Sequence, residues 1–236
     1  MNSLPRVMTF GSTQPVVKRT PIVIEQLVTP VIQTDSSTAP STRDRKSLQL
    51  WLVRHGETEW SLSGQHTGRT DLPLTPVGEQ QAREIGKLLR GQRFGVVLTS
   101  PLLRARETCR LAGYGDVAVV DPNLQEWDYG EYEGKTTAEI QEKRPGWSLW
   151  SDGVPGGESI QQVATRGHAV IDRVLAGPGD ALLFAHGHIL RIVACRWLGL
   201  PPQDGRLFAL ATAALTTLGY EHETRVITRL NGGLLR

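Results

Sequence analysis

Apolar and polar positions along the chain follow two regimes that change at about residue 48. Beyond it, short apolar runs alternate with stretches of helical period. Leu48–Val53 is apolar and ends in polar residues, the pattern of a buried strand. Thr75-Pro76 supplies an N-cap hydroxyl followed by proline at the first helical position. Ala82, Ile85, Leu88 and Leu89 then recur at helical spacing, and Gly91 closes the segment. Val96–Leu98 predicts a second buried strand, Pro101–Leu111 a helix and Val117–Val120 a third strand. A Thr136-x-x-Glu139 capping box opens a short helix that Pro145 ends. Ile160, Val163, Gly167, Val170, Ile171 and Val174 mark a longer helix. Ala181–Ala185 predicts a strand running into His186-Gly187, with a helix over Ile189–Leu198. Ala213–Tyr220 and Arg225–Leu230 predict two strands joined at Glu221–Thr224. Strands alternating with helices predict an α/β fold, a three-layer α/β/α sandwich with a mostly parallel central sheet.

The first 47 residues hold five of the 14 prolines, seven Thr and six Ser, with Phe10 as their one aromatic. Such a segment buries too little apolar surface to order itself and predicts a flexible N-terminal tail ahead of a domain over 48–236. The stretch Pro21–Ile32 leaves room for an added strand or a segment docking in a groove. A targeting peptide is disfavoured, because the segment has no continuous apolar core and few arginines.

Composition narrows the field. With 39% hydrophobic and 21% charged residues, wholesale disorder and collagen-like or coiled-coil chains are excluded. No apolar run reaches the length of a membrane span. A net charge of +2 over 236 residues argues against a polyanion partner, so neither nucleic acid nor membrane is expected. Cys109 and Cys195 make no disulfide framework and no CxxC, which predicts buried packing thiols in a reducing compartment, the cytoplasm. No histidine spacing suits zinc, so neither metal nor cofactor is expected.

Three segments place polar residues just after predicted strands, where open parallel sheets bind ligands. They are Arg54-His55-Gly56-Glu57-Thr58, Thr99–Ala105 with Arg104, and His186-Gly187-His188. Arginine offers a fork of donors suited to phosphate. Helices starting near Pro101 and Gly187 would add backbone N–H groups and a positive dipole end. A histidine among such cations keeps a neutral ring nitrogen able to attack phosphorus. The pattern predicts an anion pocket that contains a nucleophile.

At these residues the chain resembles the histidine phosphatase superfamily, phosphoglycerate mutase-like branch. Arg54-His55-Gly56, Ser100–Ala105, Glu126 ahead of Tyr129-Gly130, and His186-Gly187 occur in the family's order across about residues 48–230. Within it, the segments around Trp60–Gly68 and Glu126–Gly134 are most similar to acid phosphatases and sedoheptulose-bisphosphatase-like proteins. The resemblance implies a metal-independent phosphomonoesterase in which His55 becomes phosphohistidine. Arg54, Arg104 and His186 would hold the phosphoryl oxygens, with Thr67, Gly68, Tyr129 and Gly187 as further phosphate-binding positions. Glu126 would protonate the leaving oxygen and then activate water.

The expected ligand is a small-molecule phosphate ester, a sugar phosphate or bisphosphate among them. Arg69 and Lys135 are candidates for a second cationic contact, and homo-oligomerisation stays open. Two other readings compete: mutase-type phosphoryl transfer and a non-catalytic phosphosugar-binding module. Ser61 and His188 stand where mutases usually carry Asn, which favours net hydrolysis. Pure binding needs no proton donor, so Glu126 counts against the binding module. His66 and His168 carry no motif support, and His188 is a candidate for a substrate-side role.

Overall fold

Strand period decides which layer each apolar side chain joins. The computed structural model describes residues 48–233. The tail, strand-addition and targeting readings of residues 1–47 therefore lie outside the described residues. The strands are β1 (Leu50–Arg54), β2 (Val96–Thr99), β3 (Val119–Val120), β4 (Ala181–Ala185), β5 (Leu215–Glu221) and β6 (Thr224–Gly232). The helices are α1 (Glu59–Ser63), α2 (Pro76–Leu88), α3 (Leu103–Leu111), α4 (Thr137–Lys143), α5 (Leu149–Asp152), α6 (Ile160–Leu175) and α7 (Gly187–Leu198). The sheet order is β3-β2-β4-β1-β5-β6. The first four strands run parallel, and β5 and β6 join antiparallel at one side.

Because successive side chains alternate across a strand, each central strand feeds two cores. Leu50, Leu52, Leu183 and Ala185 pack with Val163, Val170, Ile189 and Val193 of α6 and α7. Val53, Leu182, Phe184 and Leu215 pack on the other face with Ile85, Leu89 and Cys109 of the α2–α3 side. Helices on both faces make the expected three layers. Cys109 and Cys195 are both buried, and burial pushes their thiols up to about 12 and about 11. Among the described residues, no helix is long and apolar enough to cross a membrane.

The local signals act where the sequence places them. Thr75 Oγ1 accepts from Gly78 N–H to start α2, and the Thr136–Glu139 box closes both ways at the start of α4. Several boundaries differ, among them α3, which starts at Leu103 and not Pro101. β3 shrinks to Val119–Val120 because the N–H groups of Val117 and Ala118 turn back to Tyr114 O. β5 starts at Leu215, since Ala213 has a φ of 52° and Ala214 N–H bonds to Ala211 O in a turn. α7 starts at Gly187 with His186 as its N-cap, two residues earlier than the apolar pattern indicates.

Candidate active site

Register brings the predicted site residues together. Arg54 and Ala185 are the paired last residues of β1 and β4. His55 N–H donates to Ala185 O at 2.9 Å, and Ser100 N–H donates to Phe184 O at 2.9 Å. His55, His186 and Ser100 therefore follow three neighbouring parallel strands at their carboxyl ends, the crevice that such sheets use for ligands. The His55 and His186 rings lie 5.2 Å apart.

His55 Nδ1 lies 2.7 Å from Gly56 O. A carbonyl only accepts, so Nδ1 carries the proton and the lone pair of the neutral ring sits on Nε2. Burial, followed by the charges of Arg54 and Arg104, holds the His55 pKa well below the usual histidine range. Gly56 is needed for close approach: a Cβ there would lie 2.4 Å from Gly78 O, and one on Gly78 would lie 2.2 Å from Glu57 O. Thr108 Oγ1 accepts from Gly56 N–H, tying this loop to α3 as well. Glu57 pairs locally, accepting from the Thr75 hydroxyl.

Arg54, Arg104 and His186 share an unusual feature. Arg104 and His186 are buried and Arg54 is half-buried, and each keeps one buried side-chain nitrogen without a partner: Arg54 Nε, Arg104 Nε and His186 Nδ1. Unsatisfied buried donors cost on the order of 1–3 kcal/mol each, so such atoms point to a missing acceptor. The rest of each side chain is fixed. Arg104 donates to the carbonyls of Thr67, Gly68 and Thr70, and Arg54 donates to Leu210 O. Ser100 Oγ accepts from Leu102 N–H and lies 2.7 Å from His186 Nε2. In the tautomer in which the serine O–H is given to Nε2, the His186 proton sits on the unpartnered Nδ1. Burial, then Arg104 and His55, lowers the His186 pKa well below its usual value.

Glu126 is the carboxylate of the site, and it holds the end of α7. Oε1 accepts from Trp127 N–H and Ile189 N–H at 2.9 Å, and Oε2 accepts from His188 N–H at 3.0 Å. Burial opposes its ionisation, but the hydrogen bonds and charge of the His188 and His186 region outweigh it and keep the carboxyl well below the usual range. Three backbone donors and a positive helix end are sufficient cause. Tyr129 Oη and His188 Nδ1 share a hydrogen bond of 2.6 Å; burial raises the tyrosine pKa and lowers that of the imidazole. The α7 terminus expected to meet phosphate is therefore partly occupied by Glu126.

Residues 50–232 match the family model for the histidine phosphatase superfamily, branch 1. The chain belongs to this superfamily. A histidine phosphatase of this length has relatives along most of its domain. An acid phosphatase of Mycobacterium tuberculosis is 42% identical over 186 residues, which cover 77% of this chain and 91% of that protein. A sedoheptulose 1,7-bisphosphatase of Saccharomyces cerevisiae is 41% identical over 184 residues, covering 64% of this chain and 68% of that one. Among solved structures, a mycobacterial glucosyl-3-phosphoglycerate phosphatase in complex with VO3 has a TM-score of 0.71 and 26% identity, covering 78% of this chain and 99% of that chain.

In this histidine phosphatase the cleft encloses about 90 Å³ and is lined by Arg54, His55, Thr67, Glu126, Tyr129 and Gly187. Of the sequence-derived residues, Arg104 and His186 sit behind it with their free nitrogens. Gly68 does not line it: its N–H donates to the Glu133 carboxylate, and its carbonyl accepts from Arg104. Ser61, Gln65, His188 and Arg191 also line the cleft, of which Arg191 carries no motif signal. Its Nε donates to Gly205 O at 2.7 Å and its guanidinium lies 4.5 Å over the Trp150 ring. Among the described residues its two terminal nitrogens have no hydrogen bond. Arg69 and Lys135, the sequence's candidates for a second cationic contact, do not line this cleft. Arg69 is 72% exposed and paired with Asp128, and Lys135 is exposed with its amine on Glu131 O.

Proposed function

We propose that the protein hydrolyses phosphate monoesters of small molecules, sugar phosphates among them, through a phosphohistidine at His55. The observation that carries this reading is the cluster of three buried, unpartnered donors on Arg54, Arg104 and His186 around an imidazole whose Nε2 lone pair is free. In the first step His55 Nε2 attacks phosphorus and the bond to the ester oxygen breaks. Arg54, Arg104 and His186 bear the charge on the equatorial oxygens. Glu126 gives a proton to the leaving oxygen. In the second step Glu126 takes a proton from water, the water oxygen bonds to phosphorus, and the P–N bond breaks to restore neutral His55.

Glu126 rests as a carboxylate, so the proton it donates arrives with the substrate. A phosphate ester has its second pKa near about 6, and its monoanion brings one proton into a pocket where two anions side by side disfavour full ionisation. The relatives named acid phosphatase and sedoheptulose 1,7-bisphosphatase, at 42% and 41% identity, support net hydrolysis, whereas relatives named probable phosphoglycerate mutase share 33–34%. For the leaving group, Arg191 supplies a free guanidinium edge at the rim of the same cleft, suited to a second anionic group on the substrate.

His55→Ala tests the reading. We expect turnover of sugar phosphates to fall by at least about 10⁴-fold, with the folded state retained and with the acid-labile, base-stable phosphoryl label of the wild type gone. A variant that keeps substantial activity, or a wild type that never carries the label, overturns it.

A further inference from the structure

The segment that carries Glu126 has no ladder of its own. It follows a 3₁₀ turn at Pro122–Leu124 and runs to Asp128 without helix or strand. Its backbone groups are satisfied instead by Arg166, on the face of α6 towards this loop, and by Glu158, just before that helix. Arg166 Nη1 donates to Asn123 O at 2.8 Å and Gln125 O at 2.9 Å, and Nη2 lies 3.4 Å from Glu126 O. The same guanidinium grips Glu158 with both edges: Nε to Oε1 at 2.8 Å and Nη2 to Oε2 at 2.7 Å. Glu158 then accepts Asp128 N–H on Oε2 at 3.0 Å and Trp127 Nε1–H on its carbonyl at 2.8 Å.

The peptide groups on both sides of Glu126 are thus pinned to α6, while its carboxylate is pinned to the start of α7. Both members of the pair are largely buried, with side chains 19% and 18% exposed. A fork-to-fork pair of this kind holds direction as well as distance, which a lysine cannot reproduce. A side chain that must pass a proton to one oxygen and take one from water tolerates little displacement, since about 1 Å of misplacement costs on the order of 100-fold.

We propose that Arg166 and Glu158 act together as positioning residues that set the Glu126 carboxyl for proton transfer to the leaving oxygen. The proposal rests on the reading of Glu126 as the acid given above. It does not place either residue on the substrate.

The test uses the full-length protein, with kcat/KM measured for an alkyl ester such as glycerol phosphate and for 4-nitrophenyl phosphate. That ratio reports the phosphorylation step, in which only the alkyl ester needs its leaving oxygen protonated. Arg166→Lys should lower kcat/KM for the alkyl ester by about 10–100-fold and for the aryl ester by less than about threefold. Glu126→Gln, measured in parallel, should show the same selectivity with a larger loss. The double variant should be no worse than Glu126→Gln alone, because both changes act on one proton transfer. Glu158→Gln keeps one acceptor for Arg166 and serves as the second variant if Arg166→Lys unfolds. Equal losses on the two esters in these variants, with Glu126→Gln still selective, would reduce the pair to a structural brace. Equal losses in Glu126→Gln itself would instead remove Glu126 from the acid role and the proposal with it.

Discussion

On the floor of the cleft, Arg54, His55, Ser100 and His186 stand at the ends of three adjacent parallel strands. At the rim, Tyr129 and Arg191 line the cleft, and His66, Trp147 and Trp150 from separate segments of the chain pack behind them. The floor is set by backbone register: two main-chain hydrogen bonds fix where His55 and Ser100 leave the sheet. The rim is set by ring contacts, with His66 4.9 Å from Tyr129 and 5.7 Å from Trp147, and Trp150 5.4 Å from His188. Floor donors lack partners, whereas rim side chains largely have them. Under the proposed function, the floor would select charge and geometry at phosphorus, and the rim the shape of whatever the phosphate is attached to.

That division can be broken at the joint between the two, which is Glu126. We expect Glu126→Gln to cut kcat/KM for sugar phosphates by about 10²–10⁴-fold and for aryl phosphates much less. Equal losses would show that the joint does not work as an acid. A smaller effect belongs to the rim alone. Arg191→Ala should raise KM for a sugar bisphosphate by about 10–100-fold, the size of a lost charge-assisted hydrogen bond, and leave simple monophosphates within about threefold. A uniform rise across both substrates would return Arg191 to a packing role against Trp150.

The smallest effect concerns stability, and its sign follows from both regions together. The pKa values of His55, His186, His188 and His66 all lie below the ordinary histidine value, His66 down to about 4 through burial first and then the His188 charge. The unfolded chain therefore binds more protons than the folded one below about pH 6.5, and stability falls as pH falls through that range. Glu126, depressed as well, adds to the loss at lower pH. For His66 alone the full shift is worth roughly 3 kcal/mol. Between pH 7 and pH 4 we expect Tm to drop by about 5–10 °C, measured by thermal melts, and His66→Gln to flatten part of that slope. A flat profile in the unaltered protein would contradict the placement of these imidazoles.

The sequence spoke most clearly where chemistry and backbone coincide. The strands at Leu50, Val96 and Ala181 are short buried runs, and each is followed at once by its site residues, so periodicity and motif point to one place. Thr75-Pro76 and Thr136–Glu139 are complete local signals and needed no tertiary help. The five-residue α1 gave no apolar period; it depends on a capping box between Thr58 and Ser61, in which serine replaces the usual Glu or Gln. The four-residue α5 is equally short. Arg191 was illegible because its role comes from where α7 meets Trp150 and Gly205, a matter of packing. Arg69 and Lys135 looked better placed only because they are near the motifs in sequence. Gly68 and the α7 terminus were read as phosphate ligands; the folded chain gives Gly68 N–H to Glu133 and the His188 and Ile189 N–H groups to Glu126, while Gly187 lines the cleft.

The three unpartnered nitrogens on Arg54, Arg104 and His186 have a consequence for throughput. Under the proposed function they would hold the oxygens of a phosphoryl group, and inorganic phosphate carries the same oxygens after the ester bond is gone. Product would then compete with substrate for the one set of donors, and by mass action it would stabilise the folded chain as its concentration rises above its Kd. An enzyme built on such a floor would slow as free phosphate accumulates, with no second regulatory site.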